Sequence, residues 1–351
     1  SYILSENLFY TIFLFSIYFI YKSFKENNIK YDLLTGLFIG LAALTRVIGI
    51  ILIPLIILMI IFFRNKISIK NKVLCLIIPI LFIGIWGLIV NSYLNTPNLI
   101  RLTGYELTIN NILNTEYLTH GFYWIPLNLT YMIIATGLIF LPAFLIYMKS
   151  KTYKSEQDNI FLMVSFILFI LFLTFSSFYN LAYTDNDKIL IGRPIERYFA
   201  VTLPLIIISG FIAINNNVFR NFKIKKLIIL ISSLFIISLP LTFYNLFPAN
   251  NPSLIYIGLI NLLNITNLDK IIIFGIILSL MLVLPSMLYK LTNRAIIYFF
   301  IFFFIIISLL NTTAIIYNSN RWYHSDESHI GLWLNEDDKG KSGLLLDKCE
   351  I

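Results

Sequence analysis

Nine long apolar runs constrain this chain more than any other feature. They cover residues 8–24, 33–63, 73–90, 127–148, 160–179, 198–214, 227–247, 271–289 and 295–317. About 20 mostly apolar residues in a helix cross the ~30 Å hydrocarbon core of a bilayer. No water reaches backbone groups there, so each segment must bond within itself, as a helix does. Only 13% of the 351 residues are charged, against about 25% in soluble domains. That balance excludes a soluble globular enzyme, a disordered tail and a nucleic-acid binder. Cys75 and Cys349 stand far apart and suggest neither a disulfide framework nor a metal knuckle.

The run 33–63 is too long for one pass. Its 31 residues would make a helix of about 46 Å at ~1.5 Å per residue. The basic residues decide how to divide it. Lys22, Lys25 and Lys30 form one linker cluster, Arg64, Lys66, Lys70 and Lys72 a second, and Lys149, Lys151 and Lys154 a third. Arg220, Lys223, Lys225 and Lys226 form a fourth, and Lys290 with Arg294 a fifth. Cytoplasmic linkers are enriched in Lys and Arg. All five clusters fall on that side if 33–63 is a hairpin of two short passes. Its turn is expected near Thr45-Arg46-Val47-Ile48-Gly49, where an Arg and a Gly interrupt the run. The fold class is then an all-α polytopic membrane protein of ten passes with both ends outside. Trp124 and Trp322 are expected in an interfacial aromatic belt.

The composition changes after residue 317. Ser325 or Asp326 is placed to cap a short amphipathic helix, and Gly343-Leu344-Leu345-Leu346-Asp347 reads as a strand. Residues 1–317 are therefore expected to be a transmembrane core. Residues 318–351 are expected to open a small extracytoplasmic α/β domain. Ser stands at residue 1 and the last residues break off in a strand pattern, so a fragment cut at both ends is expected.

Chemistry-bearing residues gather outside the apolar runs. Glu6 follows Ser5 at the outer end of the first helix. It is either a functional carboxylate or a first-turn acid favoured by the helix dipole, with Ser5 as cap. Arg46, inside an apolar stretch, needs a polar partner, and its planar fork suits a phosphate; the alternatives are snorkelling to the interface and pairing with a structural carboxylate. Arg193 and Arg197 are four apart around Pro194 and Glu196, so they share a helix face if the helix begins there. They suit an anionic headgroup, or an interfacial anchor with a Glu–Arg pair. His120, in an aromatic outer loop, is a candidate substrate contact. Asp185-Asn186-Asp187 reads as a solvated loop, His324 and His329 flank the tail cap, and the sequons at Asn128, Asn264 and Asn311 carry no weight.

Three segments resemble one family. They are Ser5-Glu6-Asn7-Leu8-Phe9, then Leu34-Thr35-Gly36-Leu37-Phe38-Ile39-Gly40-Leu41-Ala42-Ala43-Leu44-Thr45-Arg46, then Arg197-Tyr198-Phe199-Ala200-Val201-Thr202-Leu203-Pro204. Their order resembles the multi-pass glycosyltransferases of the C superfamily, among them protein O-mannosyltransferases and the lipid A aminoarabinose transferase. Ile330-Gly331-Leu332-Trp333-Leu334-Asn335 resembles the start of the soluble outer domain some members carry. The resemblance implies a plasma-membrane enzyme that takes a sugar from a polyprenyl-phosphate donor on the extracytoplasmic face. The acceptor is a protein, lipid or glycan. It also implies an acidic catalytic base in a first outer loop upstream of Ser1, with three further passes to make thirteen. Arg46, Arg193 and Arg197 would bind the donor phosphate, and Glu6 would orient the acceptor or an arginine. A divalent metal is left open. The rivals are a transporter or lipid-linked sugar flippase, and a polysaccharide polymerase or ligase. Against the transporter, nearly all charges lie at helix ends rather than at the midplane of broken helices.

Overall fold

The computed structural model describes residues 2–94, 121–122, 124–126, 128–129, 132–133, 135–136, 140–150, 156–179, 199, 201–216, 295, 298, 301–302, 305 and 309. Among them every regular element is helical: α1 (Tyr2–Glu26), α2 (Ile29–Thr45), a 3-10 turn (Val47–Ile51), α3 (Leu52–Phe63), α4 (Ile69–Leu94), α5 (Phe140–Ser150), α6 (Glu156–Tyr179) and α7 (Leu203–Asn215). The expected passes at 227–247 and 271–289, most of 295–317, and the tail 318–351 lie outside the described residues.

Two asparagines make the first reversal. Asn27 takes φ 48°, a left-handed conformation that Asn tolerates better than most residues. Its N–H donates to Ser23 O at 3.0 Å, closing α1. Asn28 then caps α2, its side chain accepting from Lys30 N at 3.0 Å. The helices return antiparallel. Ser23 of α1 bonds Asp32 of α2, and further along Phe19 and Phe15 meet the Phe38 ring at 5.0 and 5.5 Å.

The long run 33–63 is two helices, as its interruption predicts. α2 stops at Thr45, whose hydroxyl donates back to Leu41 O and Ala42 O at 2.7 and 3.0 Å. Arg46 follows in extended backbone, φ −150° and ψ 133°. The 3-10 turn folds back on α2 so closely that a Cβ on Gly49 would sit 2.5 Å from the Ala42 carbonyl carbon and oxygen. Only glycine fits there. α3 then runs back until Phe63 meets Phe24, near the end of α1, at 6.1 Å. The start of α4 is beside the same reversal, because Ser68 N donates to Asn27 Oδ1 at 3.3 Å.

α2 and α4 therefore start at one end and run parallel. Gly36 and Gly40 form their seam: an added Cβ would come within 2.9 Å of Ile78 Cβ and 3.0 Å of the Phe82 ring. Small residues four apart let two backbones approach this closely. The core beneath is a helical stripe of Phe9, Phe13, Ile17, Ile20 and Phe24 on α1, packed with Leu52, Leu55, Ile56 and Met59 of α3 and with Ile160, Val164, Leu168 and Phe172 of α6. Phe13 and Phe172 meet edge-on at 5.8 Å. α5 and α7 pair at Gly210, where a Cβ would fall 2.6 Å from Phe140 Cβ.

Two stretches, Asn71–Ile89 and Asp158–Phe178, are long and apolar enough to cross a membrane. Only 22% of the first is buried within the protein, against 61% of the second. Ile80, Leu81, Ile85, Trp86 and Leu88 of α4 are all exposed. An apolar helix with its apolar surface turned outward suits lipid and not water.

Candidate functional site

The antiparallel register of α1 and α2 brings two sequence candidates to one end of the bundle. Ser23 is level with Asp32, and Phe15 and Phe19 with Phe38. Continuing that register sets Arg46 level with Phe9 and Glu6 level with the 3-10 turn. Residues 40 apart in sequence thus share a depth. Arg46 is half-buried. Its own N–H closes α2 on Ala42 O at 3.0 Å, and its carbonyl accepts from Gly49 N at 2.8 Å. The turn holds the arginine backbone from both sides. The Ser5 cap is a correction: α1 already runs from Tyr2, so Ser5 and Glu6 stand inside the helix and not at its mouth. Arg193, Arg197 and His120 lie outside the described residues. α7 begins at Leu203 with Pro204 in its first turn, where a missing N–H is harmless.

A second polar cluster occupies the opposite end, and sequence reading missed it. Lys72 and Asp32 are both fully buried, and Lys72 Nζ stands 2.5 Å from Asp32 Oδ1. Nζ also donates to Ser23 O at 2.7 Å and Ser23 Oγ at 2.8 Å, which uses all three ammonium protons. Ser23 Oγ donates to the same Asp32 Oδ1 at 2.5 Å, and the Cys75 thiol donates to Asp32 O at 3.4 Å. The Phe24 ring lies 5.2 Å from the ammonium, within cation–π range. Counted along the chain, Lys72 reads as one more basic linker residue; in the fold it reaches no solvent. The available signal was an acid at residue 32, one turn from the start of an apolar helix. Two buried oxygens of this stripe, Asp32 Oδ2 and Thr35 Oγ1, have no hydrogen-bond partner among the described residues.

A third cluster joins Asn128 to the end of α6. Asn128 Nδ2 donates to Ser177 Oγ at 3.0 Å and to Ser176 Oγ at 3.3 Å, and the side chain is fully buried. A glycan has no access to it. Trp124 is likewise buried at 2% exposure, while Phe122 is 62% exposed. The tryptophan expected in an interfacial belt is thus a core residue. Among the described residues no group of three or more His, Cys, Asp or Glu is placed to hold a metal ion.

Comparison with family models, with curated proteins and with solved structures finds no match to this chain.

Proposed function

We propose that this chain is the core of a polytopic plasma-membrane glycosyltransferase. It moves a sugar from a polyprenyl-phosphate donor to an acceptor on the extracytoplasmic face. The observation that carries this reading is the reversal at Arg46. An arginine stands between two apolar helices, at the end of the bundle away from the Lys-rich reversals at Lys25–Lys30 and Arg64–Lys66. That arrangement suits a site on the outer face, with ten passes overall and 318–351 opening an outer α/β domain.

The chemistry follows from charge. The acceptor hydroxyl or amine loses its proton to a carboxylate and attacks the anomeric carbon with inversion. The C–O bond to phosphate breaks, and the polyprenyl phosphate departs with the bonding pair. Fixed positive groups aimed at that phosphate stabilise the developing charge. Arg46, Arg193 and Arg197 are assigned that role, Arg46 with a fork that matches two phosphate oxygens. Glu6 orients the acceptor or an arginine, and His120 contacts substrate.

The test uses the full-length protein in liposomes with a radiolabelled polyprenyl-phosphate sugar and a membrane extract as acceptor. Label is expected to pass to acceptor, with free polyprenyl phosphate released in equal amount. Arg46→Ala is expected to slow this by at least about tenfold, since a charge-assisted bond is worth roughly 1.5–3 kcal/mol. Movement of intact donor across the bilayer without bond cleavage would make the protein a flippase instead.

A further inference from the structure

We propose that the Lys-rich end of the bundle carries a binding site for an acidic phospholipid. Lys25, Lys30, Arg64 and Lys66 hold its phosphate, and apolar side chains beside them take its acyl chains. The site lies at the end opposite Arg46 and stands whether or not the protein transfers sugar.

The fold gathers these cations from two separate reversals. The Phe63 ring lies 6.1 Å from the Phe24 ring, which brings Arg64 to the same end as Lys25. Ser68 N–H donates to Asn27 Oδ1 at 3.3 Å and sets the second reversal against the first. Lys25, Lys30, Arg64 and Lys66 are all exposed. The backbone beneath them is held by other groups. Asn27 N–H closes α1, Asn28 caps α2, and the buried contact of Lys72 with Asp32 ties α2 to α4 just inside. The scaffold therefore fixes where the cations stand, although they repel one another.

Charge balance leaves this patch positive. Residues 22–32 and 64–72 contain seven Lys and Arg against two acids. Each acid already has a lysine: Glu26 pairs with Lys22 at 2.6 Å, and Asp32 with Lys72. No carboxylate of these segments is left over for Lys30 or Arg64. A phosphodiester supplies the missing negative charge, and its two free oxygens match the guanidinium fork.

The apolar surroundings select a lipid among anions. Ile29 and Leu33 of α2, Ile61 and Phe62 of α3 and Ile69 of α4 are exposed. Each stands within three residues of one of the four cations. An acidic peptide or a nucleic acid would meet the charges and leave these side chains unmatched. A phospholipid meets both, with its headgroup at the cations and its chains against the apolar side chains.

The test uses the full chain in neutral detergent, incubated with radiolabelled dioleoyl phosphatidylglycerol or dioleoyl phosphatidylcholine. Lipid that co-elutes with the protein is counted. Phosphatidylglycerol is expected to be retained at least about tenfold more than phosphatidylcholine, the scale of a charge-assisted contact. Lys30→Gln with Arg64→Gln is expected to abolish that preference. Lys149→Gln with Lys151→Gln removes the same charge from another linker and is expected to leave it intact. Glycerophosphoglycerol, the headgroup without acyl chains, is expected not to displace the lipid at equal concentration. Raising NaCl from about 0.1 M to about 1 M shortens the screening length from about 10 Å to about 3 Å and is expected to release most of the phosphatidylglycerol. Equal retention of the two lipids, or retention that survives high salt, would overturn the proposal; both use the unaltered protein, so they decide even if a variant fails to accumulate. Equal losses in the two variants would replace the site by a diffuse field. Displacement by glycerophosphoglycerol or polyglutamate as readily as by unlabelled lipid would make the patch a site for soluble anions.

Discussion

Lys72 Nζ rests 2.5 Å from Asp32 Oδ1, with both side chains sealed from solvent. Forty residues apart in sequence, they join α2 and α4 at the point where both helices begin. Breaking such a pair on one side leaves an uncompensated buried charge, at about 3–5 kcal/mol. Lys72→Met alone and Asp32→Ala alone are each expected to lose that much stability in denaturant titration of the detergent-solubilised protein. Replacing both by leucine is expected to cost far less, because the desolvation penalty disappears with the charges. A loss in the double replacement equal to the sum of the two single losses would mean that the pair does not interact.

The turn at Gly49 makes a sharper demand. A methyl group there would meet backbone atoms of Ala42 and Ala43 at 2.5–2.6 Å, and backbone cannot move aside as a side chain does. Gly49→Ala is expected to cost about 1–3 kcal/mol, the usual penalty of overpacking. Gly84 of α4 is the control, with nothing within 4 Å of its added Cβ. Gly84→Ala is expected to raise stability by about 0.5–1 kcal/mol, since alanine is the better helix former. Parallel thermal melts of the two variants check both signs.

Asn128 stands in a glycosylation sequon yet donates both contacts of its amide to Ser176 and Ser177. Expressed in a host that glycosylates such sites, the chain is expected to carry no glycan at Asn128. Asn128→Ala should leave electrophoretic mobility before and after endoglycosidase unchanged. It should also lower stability by roughly 0.5–1.5 kcal/mol for the hydrogen bonding lost. A mobility shift that disappears in Asn128→Ala would contradict the burial.

The reversal at Arg46 carries a topological expectation. Lys30 and Asn65 are both exposed and flank reversals at one end of the bundle. Cysteines placed at these two positions should react from one side of the membrane with an impermeant thiol reagent. A cysteine at Arg46 should react from the other. Labelling of Lys30→Cys and Asn65→Cys from opposite sides would show that 33–63 crosses only once.

Local pattern was enough for some of this architecture. The apolar run 33–63 exceeds one bilayer thickness, and Arg46 and Gly49 interrupt it, so two helices with a reversal between them follow from sequence alone. The two asparagines at 27 and 28 mark the preceding turn for the same reason: each meets a backbone requirement set within a few residues. Tertiary structure decided what the charges do. Lys72 precedes an apolar run and looks like an interfacial lysine until α2 and α4 lie parallel and Asp32 arrives beside it. Trp124 looks like a belt residue until packing encloses it. Helix breaks depend on the conformational preferences of single residues, which neighbours in sequence reveal. The burial and pairing of a side chain depend on which distant helix covers it, and no periodicity within its own segment encodes that choice.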